Sequence, residues 1–336
     1  MKSVAVVILN WNGASLLSEF LPSVCRYTSH DVADVIVADN GSTDNSLQLL
    51  MQDFPQVGII RFPRNHGFAE GYNQVVKQLE AYRYIVLLNS DVAVSEGWIE
   101  PLLSYAEEHS EVGALQPKIR SYRHPSQFEY AGACGGFLDC NGYPFCRGRI
   151  FDTIEMDNGQ YDDVVDVFWA SGAALFIRRD VYMAVGGLDA DFFAHMEEID
   201  LCWRVRLAGY AVRVVPQSVV YHLGGATLDN AHPYKLYLNF RNNLLMMYKN
   251  LPVRERRRKL FVRRLYDTVA LLRYLLTGKW ACVKAIWDAH TDFRSMCGMY
   301  ACQPRDNMLT QFPECRHNIV WDYFIKHIRC FSELKR

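Results

Sequence analysis

The sequence predicts an α/β protein with an open, mostly parallel central sheet and helices on both faces. Three observations carry this. In the N-terminal part, short apolar runs rich in β-branched residues alternate with segments of helical periodicity. The apolar runs lack the in–out alternation of half-exposed strands, so they read as strands buried on both faces. Each run also ends in polar residues, where ligands of such sheets collect beyond the carboxyl ends of the strands.

The elements follow in order. Residues 4–9 form a first buried strand and 15–27 a helix. Residues 32–38 are a second strand, after which Ser42-Thr43-Asp44 offers N-cap chemistry for a helix running to about Asp53. A third strand spans 57–62, a helix 68–81 and a fourth strand 84–88. The polar strand ends are Asn10-Trp11-Asn12, Asp39-Asn40-Gly41-Ser42, Arg64-Asn65 and Asn89-Ser90-Asp91. From Gln116 to about Asp166, Gly, Pro, Tyr and Cys dominate, which predicts a loop-rich insertion with short strands partly covering the site. Order returns with a strand over 167–178, a helix, an acidic run and a strand over 212–221. Beyond about Pro233 the chain reads as helical and basic, and no internal repeat is evident.

The chain has 336 residues, half of them hydrophobic, which suffices for one large core or two unequal domains. A net charge of -1 gives no global field for nucleic acid. The ten cysteines form no CxxC pair and no Cys/His cluster at zinc spacing, so reduced thiols are expected. No export signal and no bilayer-spanning apolar stretch is read, and the expected location is cytoplasmic.

The most concentrated chemistry lies in Phe192-Phe193-Ala194-His195-Met196-Glu197-Glu198-Ile199-Asp200. Three carboxylates within four positions repel one another, and a general base with a tuned pKa is one reason to accept that cost. A solvated helix start is the plain alternative, because acids suit a helix N-terminus. Asp39 at a strand end can accept a hydrogen bond from a pyrimidine N–H, with Gly41 permitting a tight turn and Trp11 offering an apolar face to the base. An Asx-turn with a helix cap is its alternative. Residues 65–73, with Asn65, Gly67 and Asn73, place backbone N–H groups at a strand-to-helix junction, which suits phosphate oxygens, although neither a P-loop nor GxGxxG is present. Asp91 can hold Mg²⁺ or Mn²⁺ against a diphosphate, and His222, with Gly224-Gly225 after it leaving room for a substrate, is a second candidate ligand. Trp169-Ala170-Ser171-Gly172 suggests a backbone passing close to a ligand with an aromatic wall for a sugar ring, against the alternative of a packed strand bulge.

These motifs, in this order, resemble glycosyltransferase family 2, the inverting transferases of GT-A fold, and most closely its bacterial rhamnosyltransferase-like branch with its galactofuranosyltransferase relatives. The resemblance rests on residues 7–12, 39–44, 65–73, 88–91, 169–173, 186–189 (Gly-Gly-Leu-Asp), 197–201 and Tyr221-His222, and covers roughly 1–230. It implies a GT-A domain over 1–232, with a nucleotide-binding half (1–115) and an acceptor and catalytic half (116–232), followed by a helical basic extension over 233–336. It implies that Leu9, Trp11, Asp39, Asn40, Asn65, Gly67, Asn73, Asn89 and Ser90 line the site of a UDP- or dTDP-linked sugar. Trp169, Ser171 and Gly172 would form the acceptor or sugar pocket, and Asp91 and His222 would hold the divalent metal, Mn²⁺ or Mg²⁺. Asn89 stands where the family's Asp-x-Asp motif has its first acid, and Glu198 where the family usually has Asp as base. Glu197 is the alternate base, and Asp200 orients the base or caps the helix.

The implied reaction transfers the sugar with inversion to a glycan or lipid-linked glycan, in cell-surface polysaccharide synthesis. Because Asn89 and Glu198 depart from the commonest pattern, a catalytically silent nucleotide-sugar-binding or scaffolding protein is the rival reading. A nucleotidyltransferase is a third, but Asn10-Trp11-Asn12-Gly13 lacks the Gly-rich basic loop it would need. Residues 249–264 mix positive charge with apolar side chains, as in a surface lying on anionic lipid at the inner face of the cell membrane, or equally in a solvated helix face.

Overall fold

The computed structural model describes residues 3–224, 232–300, 304 and 306–334. Gly225, expected above to leave room beside His222, lies outside them.

The strands are β1 (Val4–Asn10), β2 (Ala33–Asp39), β3 (Gly58–Arg61), β4 (Tyr84–Leu88), β5 (Val92–Val94), β6 (Val112–Ser121), β7 (Gly136–Leu138), β8 (Pro144–Cys146), β9 (Arg149–Ile150), β10 (Thr153–Ile154), β11 (Val165–Asp166), β12 (Ala174–Arg178) and β13 (Ala211–His222). The helices are α1 (Ala14–Tyr27), α2 (Ser46–Asp53), α3 (Phe68–Gln78), α4 (Glu100–Glu108), α5 (Arg179–Ala184), α6 (Glu197–Leu207), α7 (Pro233–Asn250), α8 (Val253–Leu276), α9 (Trp280–Met296), α10 (Ile319–Phe324) and α11 (Phe331–Leu334).

The central sheet runs β11-β13-β6-β12-β4-β1-β2-β3, with β5 on the end of β13. The consecutive strands β3, β2, β1 and β4 are parallel, as is the β6–β13 pair. β12 is antiparallel to both β4 and β6, and β5 and β11 are antiparallel to β13. The wholly apolar strands are explained by cover on both faces. Val4, Val6 and Ile8 pack with Leu17, Leu21, Leu50 and Leu102 of α1, α2 and α4. Ala5 and Val7 pack on the opposite side with Tyr72, Val75, Val181 and Ile199 of α3, α5 and α6.

Several boundaries differ from the sequence expectation for local reasons. The N-cap chemistry at Ser42-Thr43-Asp44 is spent on the loop: Ser42 Oγ accepts from the Asn12 amide at 2.9 Å and Asp44 Oδ2 from that of Ala14 at 3.0 Å. Helix α2 therefore starts later, at Ser46, whose amide donates to Asp44 Oδ1. Helix α3 stops at Gln78. Gln116 lies within β6 rather than opening the insertion, which instead folds as a four-stranded sheet of order β10-β9-β8-β7. In the stretch 167–178 only Ala174–Arg178 joins the main sheet, while Trp169 bridges to Gly136 in β7.

The C-terminal helices pack on the same core. Phe331 stacks on Phe137, and Phe312 meets Phe168 edge-on. Asp139 accepts from the amides of Asn141 and Tyr143 through one oxygen and from Ile319 through the other, fastening the small sheet to α10. The described cysteines are free. No described helix is long and apolar enough to cross a membrane.

Candidate active site

The site is assembled at the carboxyl ends of β1, β2 and β4. Asp39 is buried, with Oδ1 accepting from Asn10 Nδ2 at 3.2 Å and Oδ2 from the Ser42 amide at 3.2 Å. Asn40 clamps the neighbouring loop, giving Nδ2 to Asn65 Oδ1 and to the Gly67 carbonyl at 3.0 Å each, and accepting from the His66 amide at 2.9 Å. Gly41 has φ +76, and an added Cβ would sit 2.6 Å from the Arg64 backbone, so a side chain there would push the two loops apart. Gly67 has φ +79 and faces the Phe193 ring. Leu9 packs against Gly71, and Trp11 stands 55 % exposed at the end of β1, its ring free to receive a flat ligand.

Asp91 and His222 meet because β13 runs antiparallel to β5, with His222 opposite Val92. His222 Nε2 lies 3.1 Å from Asp91 Oδ1, and both residues are buried. On the other side of the ring, Nδ1 lies 3.3 Å from Glu129 Oε2, an ion-pair contact without hydrogen-bond alignment. Burial disfavours a charged imidazole, but Glu129 and Asp91 outweigh it and push His222 up to about 10. Burial opposes the Asp91 carboxylate too, and His222 holds it below its ordinary value.

The acidic run opens α6. Glu197 and Glu198 each carry an Oε2 atom that is buried and has no hydrogen-bond partner in the protein. Burial pushes Glu198 up to about 7, and burial with the adjacent Glu198 charge pushes Glu197 well upward. A Cβ at Gly172 would touch Glu198 at 3.5 Å, so the glycine leaves the space in front of that side chain open. Two observations concern the surroundings of this pair. The Asn89 amide donates to the Ala173 carbonyl, next to Gly172, at 3.0 Å. The buried Tyr72 phenol, held high mainly by desolvation, feels the charges of both Asp91 and Glu197. Asn89 and Ser90, after β4, are half-buried.

The approach to α6 is strained. Phe193, His195 and Met196 all have positive φ (64, 68 and 71), although none is glycine. Asn242 of α7, fully buried, holds the turn by donating Nδ2 to the carbonyls of Phe192, Ala194 and His195 at 2.8–2.9 Å. Asp200 anchors the next turn: Oδ2 accepts from Arg204 Nε (2.8 Å) and Lys249 Nζ (3.0 Å), and Oδ1 from Asn250 Nδ2 (2.7 Å). Its oxygens are committed to protein partners, so it supports the helix.

Three expected ligand contacts are used by the protein itself. Asn73 Oδ1 accepts from Tyr182 Oη (2.6 Å) and the Leu188 amide (3.0 Å), and its Nδ2 donates to the Leu188 carbonyl (2.8 Å), which pins the Gly186-Gly187-Leu188 turn rather than a diphosphate. Trp169 is buried on Gly136, with Nε1 bonded to the Phe137 carbonyl, so it is core rather than a sugar wall. Ser171 is buried, its Oγ bonded to the Ala131 carbonyl and its amide to Gln116 Oε1. Of that motif, Gly172 faces the site. Sequence reasoning missed Glu129 and Asn242. Both lie far along the chain from their partners, and only the fold juxtaposes them.

Among the described residues no group of three His, Cys, Asp or Glu is arranged to hold a metal ion. The Asp91–His222 pair nonetheless fits one. At 3.1 Å the two atoms share a proton; a cation that displaced it would meet a carboxylate and an imidazole, a donor pair that suits Mn²⁺.

Comparison with known proteins places the sequence and the fold. The sequence profile of Glycosyl transferase family 2 matches residues 5–186, and the chain belongs to that family. The N-acetylglucosaminyl-diphospho-decaprenol L-rhamnosyltransferase of Mycobacterium tuberculosis is 30 % identical over 230 residues, covering 65 % of this chain and 75 % of that protein. Among solved structures, GalNAc-T7 with UDP, GalNAc and Mn²⁺ superposes with a TM-score of 0.57 at 15 % identity, covering 74 % of this chain and 48 % of that one. S. aureus TarS (residues 1–349) with UDP-GlcNAc superposes with a TM-score of 0.56 at 15 % identity, covering 86 % of this chain and 80 % of that one. The chain is a glycosyltransferase of GT-A fold that uses a nucleotide sugar.

Proposed function

We propose that the protein transfers a deoxyhexose such as rhamnose from its dTDP- or UDP-linked donor, with inversion, to a lipid-diphosphate-linked glycan. The similarity to the mycobacterial rhamnosyltransferase supports this donor and acceptor class. The observation that carries the mechanism is the pair of buried, hydrogen-bond-free carboxylate oxygens on Glu197 and Glu198, the latter beside Gly172. Glu198 takes the proton from the acceptor hydroxyl as that oxygen attacks the anomeric carbon. The new C–O bond forms on one face while the bond to the diphosphate breaks on the other, so a single displacement inverts the centre. Asp91 and His222 would hold a divalent cation, whose positive charge favours departure of the diphosphate. Trp11 stacks on the base and Asp39 and Asn40 shape its pocket, while the His66 and Gly67 amides are taken by Asn40 and Asn65 rather than left for the diphosphate. A lipid-linked acceptor requires the enzyme to work at a membrane surface.

The test is thermal-shift screening of dTDP- and UDP-sugars with Mn²⁺, followed by donor turnover. Stabilisation by one donor, and turnover abolished by Asp91→Ala, is expected. Donor binding without any turnover under all acceptor conditions would favour a silent sugar-nucleotide-binding protein.

A further inference from the structure

Helix α8 is built inside out. The charged pair Arg263–Asp267 is buried, joined at 2.7 Å, with His290 3.1 Å from Asp267 and Asn243 receiving the Arg263 guanidinium. The apolar residues Phe261, Leu265, Val269, Leu272 and Leu276 face outward, with Leu276 87 % exposed. At 3.6 residues per turn these five fall within an arc of about 80° and form a stripe roughly 22 Å long. Past the turn at Gly278, α9 carries Trp280 and Trp287, 68 % and 69 % exposed. Arg254, Arg257 and Arg258 stand exposed at its N-terminal end, and Arg264 and Arg273 on its flanks. The acids of α8 are Glu255 and Asp267; Asp267 is buried, and Glu255 accepts from Asn307.

From this we infer that the α8–α9 edge seats on an anionic lipid bilayer, with the Phe261–Leu276 stripe and Trp280 entering the boundary of headgroups and acyl chains and the flanking arginines meeting lipid phosphates. An apolar stripe this long exposed to water is unfavourable, and lipid removes that cost. Exposed tryptophans suit the interfacial layer. The arginine border decides between a membrane and a second copy of the chain. A self-contact along α8 would bring arginine-rich faces together with no exposed α8 carboxylate to answer them, whereas anionic headgroups supply the missing charge. Since no described helix can span a bilayer, the contact lies in the plane of the surface. The inference adds a surface to the lipid-linked acceptor proposed above, but its measurement needs no acceptor.

The test uses the full chain with vesicles of phosphatidylglycerol and phosphatidylcholine, against phosphatidylcholine alone. The wild type is expected to co-sediment with the anionic vesicles, and brominated lipid to quench its fluorescence, with Trp280→Phe removing much of that quenching. Leu265→Ser with Leu272→Ser should lower partitioning on the order of tenfold while leaving Tm and donor hydrolysis unchanged. Arg257→Glu with Arg258→Glu gives an independent second variant and should release the protein as well. Failure of the wild type to bind anionic vesicles, or undiminished binding of both variants, overturns the inference. So does light scattering that finds a wild-type dimer converted to monomer by the serine variant, since the stripe would then be covered by a second copy. Loss of sugar transfer with intact vesicle binding would count against the proposed acceptor and leave this surface standing.

Discussion

Asn242 offers a sharp test of how the site is held. Its single amide nitrogen serves three carbonyls of the turn that carries Phe193, His195 and Met196 in the left-handed region. Asn242→Ala takes this donor from the Ala194 and His195 carbonyls, while Phe192 keeps the Arg241 guanidinium and the Ala194 amide, at about 1–3 kcal/mol for each group left unsatisfied. Each strained residue stores a further 1–2 kcal/mol or so that the turn can release by relaxing. Relaxation lowers the net loss of stability to about 2–4 kcal/mol, within the reserve of an ordinary domain, but moves the start of α6. A displacement near 1 Å at a reacting group can cost on the order of 100-fold, so kcat should fall about 10- to 100-fold with donor KM nearly unchanged. The neighbouring Asn243 is equally buried but holds the Gly142 carbonyl and Arg263 instead. Asn243→Ala should lower Tm to a similar extent without this loss of kcat. Steady-state donor turnover and thermal melting on both variants check this. Equal kcat in the two variants would refute the view that Asn242 positions Glu197 and Glu198.

Other consequences follow from the same geometry. Glu129→Gln removes the charge behind the His222 ring and should weaken Mn²⁺ binding by about 10- to 100-fold, read by calorimetry or electron paramagnetic resonance in the absence of donor; unchanged affinity would show that Glu129 does not orient His222. Glu198 sits near 7 because of burial, so kcat/KM should rise with pH through about 7 as the base loses its proton. A raised carboxyl pKa also makes the native state less stable as pH climbs from the unfolded value towards 7; Glu198→Gln should therefore raise Tm at pH 8, and a lowered Tm would contradict a desolvated carboxylate. Asp200 is held low, against burial, by Arg204 and Lys249. Its contribution is present above the unfolded pKa and is lost as pH falls below about 4, so Asp200→Asn should destabilise at pH 7 and differ less from wild type in acid denaturation.

The parts of the fold set by local pattern were legible in the sequence. The wholly apolar 4–9 and 84–88 runs could only be doubly covered strands, and their polar ends marked the ligand edge. The placement of Asp91 and His222 at strand ends and of Glu198 in the first turn of a helix was legible, because position alone implies direction. What escaped was set by contacts distant along the chain. Asn73 and Ser171 looked like ligand-binding polar residues, but their partners, Leu188 with Tyr182 and Ala131 with Gln116, are supplied by packing that no local pattern reports. Trp169 carries the same lesson, since an indole beside glycine suits a sugar or a core equally well, and only Gly136 across the small sheet decides it. Within α8, buried charge and exposed leucine invert the usual pattern, so its facing could not be read from the amino-acid order.

The most direct test compares Glu198→Gln and Glu197→Gln in sugar transfer, with donor affinity measured alongside. The account predicts a loss of about 10²–10⁴-fold in kcat for Glu198→Gln, equivalent to about 3–5 kcal/mol of barrier, with donor affinity nearly intact and a smaller effect at Glu197. Wild-type kcat in Glu198→Gln, or a product that retains the donor's anomeric configuration, would contradict it.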